Sequence, residues 1–464
     1  MRQTMSLVSV VLFSFSACAD DGVGAPDPVV APIETASTST TTSTEPSDGP
    51  SSAPAAQPET QATTTTDPLA GGLPVVEQFA GKDWFLGEVP AQAVAADLDR
   101  EPIRLGMINQ EETELGSYPE LRVAVEAAVT WINQELGGVS GRPLELLTCV
   151  TPFDPVQSRD CARDLLDAEV TAFVGGVNVT ADDAIREIEA AGNAVFGGIP
   201  ATLAEQRSER VFAFSGADVG ALAAFVSHIA DTGGSTVVIA YGAGVPSFEV
   251  AARDYGKVTG ETLGLRVELV PYPIFTEDPA DVFDAAAAVD ADAVVVLAAT
   301  SSCAPFISAA AASGRRLYLT GACAGDGLEA SSLVVDAEVF FNAEGSFTDE
   351  SADAAIFDAV IRRYAEEPAS GAGTVGFRGM MNLYALLLEA GAAPTTETLI
   401  ALARAPIDRP SFWGHPYRCD GAAVPGLPAL CAPQQIIFTV AADGVPVGVT
   451  DWIATDELFV GIEP

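Results

Sequence analysis

Seven cysteines, two histidines and 64 acidic residues are the side chains with which this chain could do chemistry. Six of the cysteines, Cys149, Cys161, Cys303, Cys323, Cys419 and Cys431, fall in three sequence-local pairs. Their spacings are not those of zinc ligands, and His228 and His415 lie far from any cysteine cluster, so no metal site is expected. An even count in an exported chain points to three disulfides. Sequence leaves every pairing open, and the local grouping favours 149 with 161, 303 with 323 and 419 with 431. Catalysis finds less support. No Gly-x-Ser-x-Gly elbow and no Walker loop occur, and "GAGVPS" (Gly242 to Ser247) lacks the third glycine of a dinucleotide fingerprint. His228 sits in an apolar helical pattern, His415 lies beside Trp413 and Pro416 in a turn-rich stretch, and no carboxylate pair stands out among so many acids. Neither an enzyme nor a cofactor is implied.

The elements that must position these groups start from a strongly acidic background. Only 22 basic residues offset the acids, a formal charge of -42. A nucleic-acid surface is excluded, because displacing phosphate counterions takes Lys and Arg. Hydrophobic residues make up 48% of the chain, enough for two or more folded domains.

Export is written at the N-terminus. "MRQTMSLVSVVLFSFSAC" carries Arg2, an apolar run from Met5 to Phe15 and small residues before Cys18, the layout of a secretory signal. "FSAC" resembles the bacterial lipoprotein signal, whose cysteine is lipidated, although Phe15 replaces the usual leucine; an ordinary signal peptide is the alternative. Residues 1–18 are therefore expected as signal and 19–80 as a Thr/Ser/Pro-rich tether. Such a composition buries too little apolar surface to offset its ordering entropy. The folded part would sit on the outer face of the cell membrane, held through Cys18.

Beyond the tether, strands and helices alternate. Strand "IRLGMI" is followed by a helix carrying Leu121, Val125, Ala128, Val129, Ile132 and Leu136 on one face. "WINQELGGVSGRPLELL" then ends that helix at Gly137-Gly138 and enters the next strand. "TAFVGG" and "NAVFGG" continue the alternation, and a second series runs from "ALAAFVSHIADTGG" through "STVVIAY", "LRVELVPY", "DAVVVLAA" and "RLYLTG". Parallel pairing with right-handed crossovers follows, hence two doubly wound α/β units. Helices near 352–366, 376–390 and 396–404 and strands near 435–440 and 445–452 suggest that the chain returns to the first unit and ends in the second.

In its order of segments, this chain resembles the type I periplasmic substrate-binding proteins of the branched-chain amino acid and amide group of ABC transporters. The likeness is carried by "WINQELGGVSGRPLELL", "DPVQSRDCARDLLDAEVTAFVGG", "VVIAYGAGVPSFEVAARDYGKVTGETLGLRV" and "DAVVVLAATSSCAPFISAAAASG". It implies two doubly wound parallel-sheet lobes joined by a three-crossing hinge, with lobe 1 as 103–217 plus about 338–434 and lobe 2 as 218–337 plus about 435–464.

Ligands in such sheets bind beyond the carboxyl ends of the strands. The loops there offer Tyr118, Asn178, Thr180 and Thr202 from lobe 1 and Tyr241, Phe248, Thr300 and Asp326 from lobe 2. The resemblance places Asn178 and Thr180 where the family holds a substrate carboxylate and Thr202 in a neighbouring contact loop. Each has a plainer reading: Asn178 and Thr180 as helix caps, Tyr241 and Phe248 as packed core, Tyr118 as surface. Amino-acid binders also place an acid after "LYLTG", whereas "TGACAGDG" offers only Asp326, so an amide, a small acid or an aromatic compound stays open beside an α-amino acid. The implied function is capture of a small polar ligand for ABC permease subunits by a lipid-anchored monomer. The alternatives are a sensing lipoprotein of the same fold and, more remotely, an exported enzyme.

Overall fold

The computed structural model of the chain describes residues 72–113, 116–276, 278–324, 337–348, 350–369, 371–441 and 444–462. Cys18 and Asp326 lie outside the described residues. Nearly unbroken apolar runs make strands that must be covered on both faces, the condition under which parallel sheets form. Strands β1 (Ile103–Gln110), β2 (Leu144–Thr151), β3 (Ala172–Gly175), β4 (Val195–Phe196) and β5 (Val211–Phe212) build an all-parallel sheet in the order β2-β1-β3-β4-β5. Helices α1 (Pro119–Glu135), α2 (Pro155–Asp167), α3 (Asp182–Ala190) and α4 (Leu203–Arg207) connect them. One face buries Trp131, Phe196 and Phe377, the other Phe173, Leu165 and Ile185.

The joint between α1 and β2 depends on glycine. Gly137 and Gly138 adopt φ of 77° and 61°, and a Cβ on Gly138 would stand 2.0 Å from the Arg142 carbonyl oxygen. Only glycine takes that left-handed turn at such close approach.

The chain crosses at 213–216 into the second lobe with α5 (Ala217–Asp231). There β6 (Thr236–Ala243), β7 (Arg266–Pro273), β8 (Ala293–Leu297), β9 (Arg316–Leu319), β10 (Val339–Ala343), β11 (Ile436–Val440) and β12 (Pro446–Gly448) lie in the order β12-β11-β10-β9-β8-β6-β7. The first five are parallel, and β11 and β12 are antiparallel additions. After β6, the short helix α6 (Pro246–Val250) continues through a wide-turned segment to Thr262. After β10 the chain returns to the first lobe as α7 (Asp353–Tyr364), α8 (Gly373–Ala390) and α9 (Thr396–Ala403). Glycines 373, 376 and 379 form a stripe on α8. A Cβ on Gly376 would lie 2.7 Å from the Leu121 carbonyl oxygen of α1, and one on Gly379 would lie 3.2 Å from Gly197 Cα.

Three boundaries differ from those expected. The second crossing follows Ala343 rather than residue 338: Val339 and Phe341 are buried, and Leu317–Leu319 pairs in parallel with Val339–Phe341 within the second sheet. Folded structure also begins before Gly81. Val75 and Val76 are buried in a short helix, and Trp84 packs edge-on against Trp131. Buried Glu135 holds this segment, accepting from the Val76 amide at 2.8 Å and from Trp131 Nε1 at 3.2 Å. In the C-terminal part, Val424, Leu427 and Leu430 pack into the core of the second lobe, and an antiparallel hairpin, Arg409–Ser411 with Gly414–Tyr417, precedes them. Short apolar runs next to a turn-rich stretch carry too little period to reveal these contacts.

The disulfides are Cys149–Cys161, Cys303–Cys323 and Cys419–Cys431. The first ties the end of β2 to α2, the second joins the start of the helix Cys303–Ser313 to the 3₁₀ turn after β9, and the third closes the segment leading into the last crossing. Loops of this length stabilise by roughly 3 kcal/mol each in a chain-entropy account.

Candidate ligand cleft

The carboxyl ends of both sheets carry the candidate loops. On the first lobe, the β3 and β4 ends approach so closely that side chains are excluded: a Cβ on Gly175 would meet the Gly197 carbonyl oxygen at 2.2 Å. Gln110, fully buried at the end of β1, joins two loops by donating from Nε2 to the Gly116 carbonyl at 2.8 Å and accepting from the Val179 amide at 3.2 Å. Tyr118 is half-buried against the lobe 1 core just before α1, and its carbonyl accepts from Asn109 Nδ2 at 2.8 Å.

Asn178 and Thr180 come together, and their polar groups meet each other. Asn178 Oδ1 accepts from the Thr180 amide (3.0 Å) and hydroxyl (2.8 Å), and its Nδ2 donates to Ser158 Oγ at 2.6 Å. This is a side-chain-closed turn ahead of α3. Thr202 likewise caps α4: its Oγ1 accepts from the Glu205 amide at 3.3 Å, and Glu205 Oε2 accepts from the Thr202 amide at 2.9 Å, a full capping box. Glu205 is only 8% exposed, and burial pushes its carboxyl up to about 8 against the opposing pull of the Thr202 and Ala201 hydrogen bonds.

On the second lobe, Tyr241 ends up buried in the core and Phe248 half-buried against it. Thr300 opens a 3₁₀ turn, Thr300–Ser302, after β8. Ser302 is buried and donates to the Ile274 carbonyl at 2.9 Å, linking the loops after β7 and β8. The lobes touch where Ser247, beside Phe248, donates from Oγ to the Ala201 carbonyl at 2.8 Å, next to Thr202.

At the hinge, one carboxylate gathers all three crossings. Glu344 Oε1 accepts from Ser215 Oγ (2.6 Å), the Gly216 amide (3.0 Å) and Gln435 Nε2 (3.1 Å). Its Oε2 receives Arg378 Nη2 at 2.7 Å, and Arg378, on α8, is 4% exposed. Burial holds the Arg378 guanidinium below its usual range while Glu344 opposes that shift.

Sequence reasoning missed Ser247, Glu205, Glu344 and Arg378. The Thr202-x-x-Glu205 spacing is a readable capping signature, but Glu344 and Arg378 belong to separate segments with no shared pattern. His228 is buried, with Nδ1 2.9 Å from the Tyr318 hydroxyl, and desolvation lowers its pKa. His415 packs edge-on against Trp452. Among the described residues, no group of three or more His, Cys, Asp or Glu is placed to hold a metal ion, and no helix is long and apolar enough to cross a membrane.

Solved structures share this architecture. A fatty acid ABC transporter substrate-binding protein from Thermomonospora curvata superposes with a TM-score of 0.66 at 19% identity, covering 80% of this chain and 97% of that one. A possible leucine/isoleucine/valine-binding protein from Rhodopirellula baltica gives 0.62 at 15% identity over 77% and 98%. A leucine-binding protein from Thermotoga maritima gives 0.61 at 16% identity over 76% and 99%. Curated proteins return no sequence match. The sequence profile described as "Periplasmic binding protein" matches residues 102–424, which takes in the first sheet and the five parallel strands of the second. The chain therefore belongs to the periplasmic binding protein family.

Proposed function

We propose that this chain captures a small polar solute between its lobes outside the cytoplasm and delivers it to an ABC permease, with Cys18 as a lipid anchor. The observation that carries the reading is the paired rim: carboxyl-end loops of the two lobes meet at Ser247 and Ala201, while the three crossings gather at Glu344. A ligand drives closure only by its differential affinity for the closed state, and residues from both rims supply that difference. An amino acid, an amide or a related small acid suits rims built from backbone amides. Asn178 and Thr180 spend their side chains on the turn ahead of α3 and Thr202 on the α4 cap, so a ligand carboxylate would be met by backbone N–H groups at the start of α3.

Thermal unfolding against amino acids, amides, small organic acids and aromatic carboxylates tests this. A ligand at about 100 times its dissociation constant stabilises by about 2.7 kcal/mol. One saturable shift, with the ligand recovered intact, supports capture; turnover of the ligand overturns it. Lipidation is checked by the mass of the mature N-terminus and by its loss in Cys18→Ser.

A further inference from the structure

Two side-chain amides interrupt apolar strand runs in the second lobe, Asn342 in "VFFNA" and Gln435 at the head of "QIIFTV". Antiparallel pairing of β10 with β11 sets Asn342 opposite Ile437 and so brings the two amides together. Gln435 is fully buried, and a buried amide needs partners at both its ends. The partners form one chain of hydrogen bonds. The Gly321 amide donates to Asn342 Oδ1 at 2.8 Å, Asn342 Nδ2 donates to Gln435 Oε1 at 2.8 Å, and Gln435 Nε2 donates to Glu344 Oε1 at 3.1 Å. A backbone N–H at one end requires an oxygen, and a carboxylate at the other requires an N–H, so neither amide can turn over without breaking the chain. All three bonds point the same way, and each polarises the next.

The two ends of this chain lie in different working parts. Gly321 opens the 3₁₀ turn Gly321–Cys323 after β9, at the carboxyl end of the second sheet. Cys323 is bonded to Cys303, and Ser302 beside it donates to the Ile274 carbonyl, so the loops after β7, β8 and β9 are one linked set. At the other end, Glu344 receives Ser215 and Gly216 of the first crossing and Arg378 of the first lobe. The fit around Gln435 is close. A Cβ on Gly216 or Gly220 would stand 3.0 or 3.1 Å from Gln435 Nε2, so the first crossing rests directly against that amide. Hydrogen bonds tolerate only a few tenths of an ångström before they weaken, and a shift of Glu344 relative to Gln435 is therefore felt at Asn342 and Gly321.

We propose that Asn342 and Gln435 are positioning residues that couple the hinge to the rim of the second lobe, so that the loop after β9 is ordered in step with the crossings. The coupling is reciprocal: whatever orders the rim also biases the hinge. It is a property of the ligand-free chain and goes beyond solute capture, which stands or falls by its own test.

Amide hydrogen exchange followed by NMR on the ligand-free whole chain tests the coupling, with the Ile239 amide of β6 as the reference for overall stability. Gln435→Met keeps the length of the side chain and removes both of its hydrogen-bonding ends. It should speed exchange at Gly321, which it does not touch, by about fivefold, the worth of one hydrogen bond. In an Asn342→Leu background the same substitution should add nothing at Gly321, because the connection is already cut. Asn342→Leu should in turn speed exchange at Gly216, at the far end. Asn342→Asp, closest in shape, keeps an oxygen for the Gly321 amide but sets another against Gln435 Oε1, so Gly321 should stay protected while Gly216 exchanges faster. Unchanged exchange at Gly321 in Gln435→Met overturns the proposal. Equal acceleration in both backgrounds also overturns it, since that is general loosening of the lobe and not passage through Asn342.

Discussion

Replacing Glu205 with glutamine should leave the protein equally stable in acid and more stable in base. The folded carboxyl has its pKa raised from 4.5 to about 8, first by desolvation and secondarily by Asp182, while hydrogen bonds from Thr202 and Ala201 oppose the shift. A raised pKa on an acid means that the native state holds the proton where the unfolded chain has lost it. Stability from this group is therefore fully present below pH 4.5, falls as pH rises, and is gone above about pH 8. The interval is about 3.5 pH units, which at 1.36 kcal/mol each bounds the loss at on the order of 5 kcal/mol. Glutamine at this position can still accept from the Thr202 amide, so the capping box survives while the ionisation is removed. Urea unfolding of wild type and Glu205→Gln at steps from pH 5 to 9 isolates the effect, because every other titrating group cancels in the difference. The difference should grow in favour of the variant across that range. A pH-independent difference, or a wild type that gains on the variant as pH rises, refutes the reasoning. The consequence reaches the cleft, because the same box shapes the loop whose Ala201 carbonyl meets Ser247.

Glu344→Gln should destabilise by about 3–5 kcal/mol in urea, since it leaves the Arg378 charge buried without its partner; combining it with Arg378→Met should recover much of the loss, and additive costs would contradict the pairing. Ser247→Ala removes the cross-cleft hydrogen bond, so ligand affinity should fall by about 1 kcal/mol with the melting temperature of the free protein nearly unchanged; unchanged affinity would remove this contact from closure. Trp84→Ala should cost about 3–5 kcal/mol by leaving a cavity against Trp131 and Phe85, and a loss below about 1 kcal/mol would show that the N-terminal segment is an ornament of the fold.

Much of the architecture could be read from one sequence because it is written in local periods. The α1 apolar face and the Gly137–Gly138 stop are side-chain spacing and backbone freedom, both properties of neighbouring residues. Local grouping also favoured the cysteine pairs that the structure joins. The rim residues were harder. Asn178 and Thr180 have the same composition whether they cap a helix or hold a ligand, and only the 2.8 Å contact between them shows where their polar groups go. The second crossing was misplaced for a related reason: "AEVFFNAEG" reads as a strand, but nothing in it says which sheet it joins.

The sequence by itself determined the lobes, their parallel sheets and the loops that end at the cleft, since these follow from apolar alternation, glycine stops and crossover handedness. Tertiary structure decided which acids are satisfied. Glu344 meets Ser215, Gln435 and Arg378 only once the three crossings lie side by side. Charge and burial act through distance in space, and residues far apart in the chain acquire a distance only on folding.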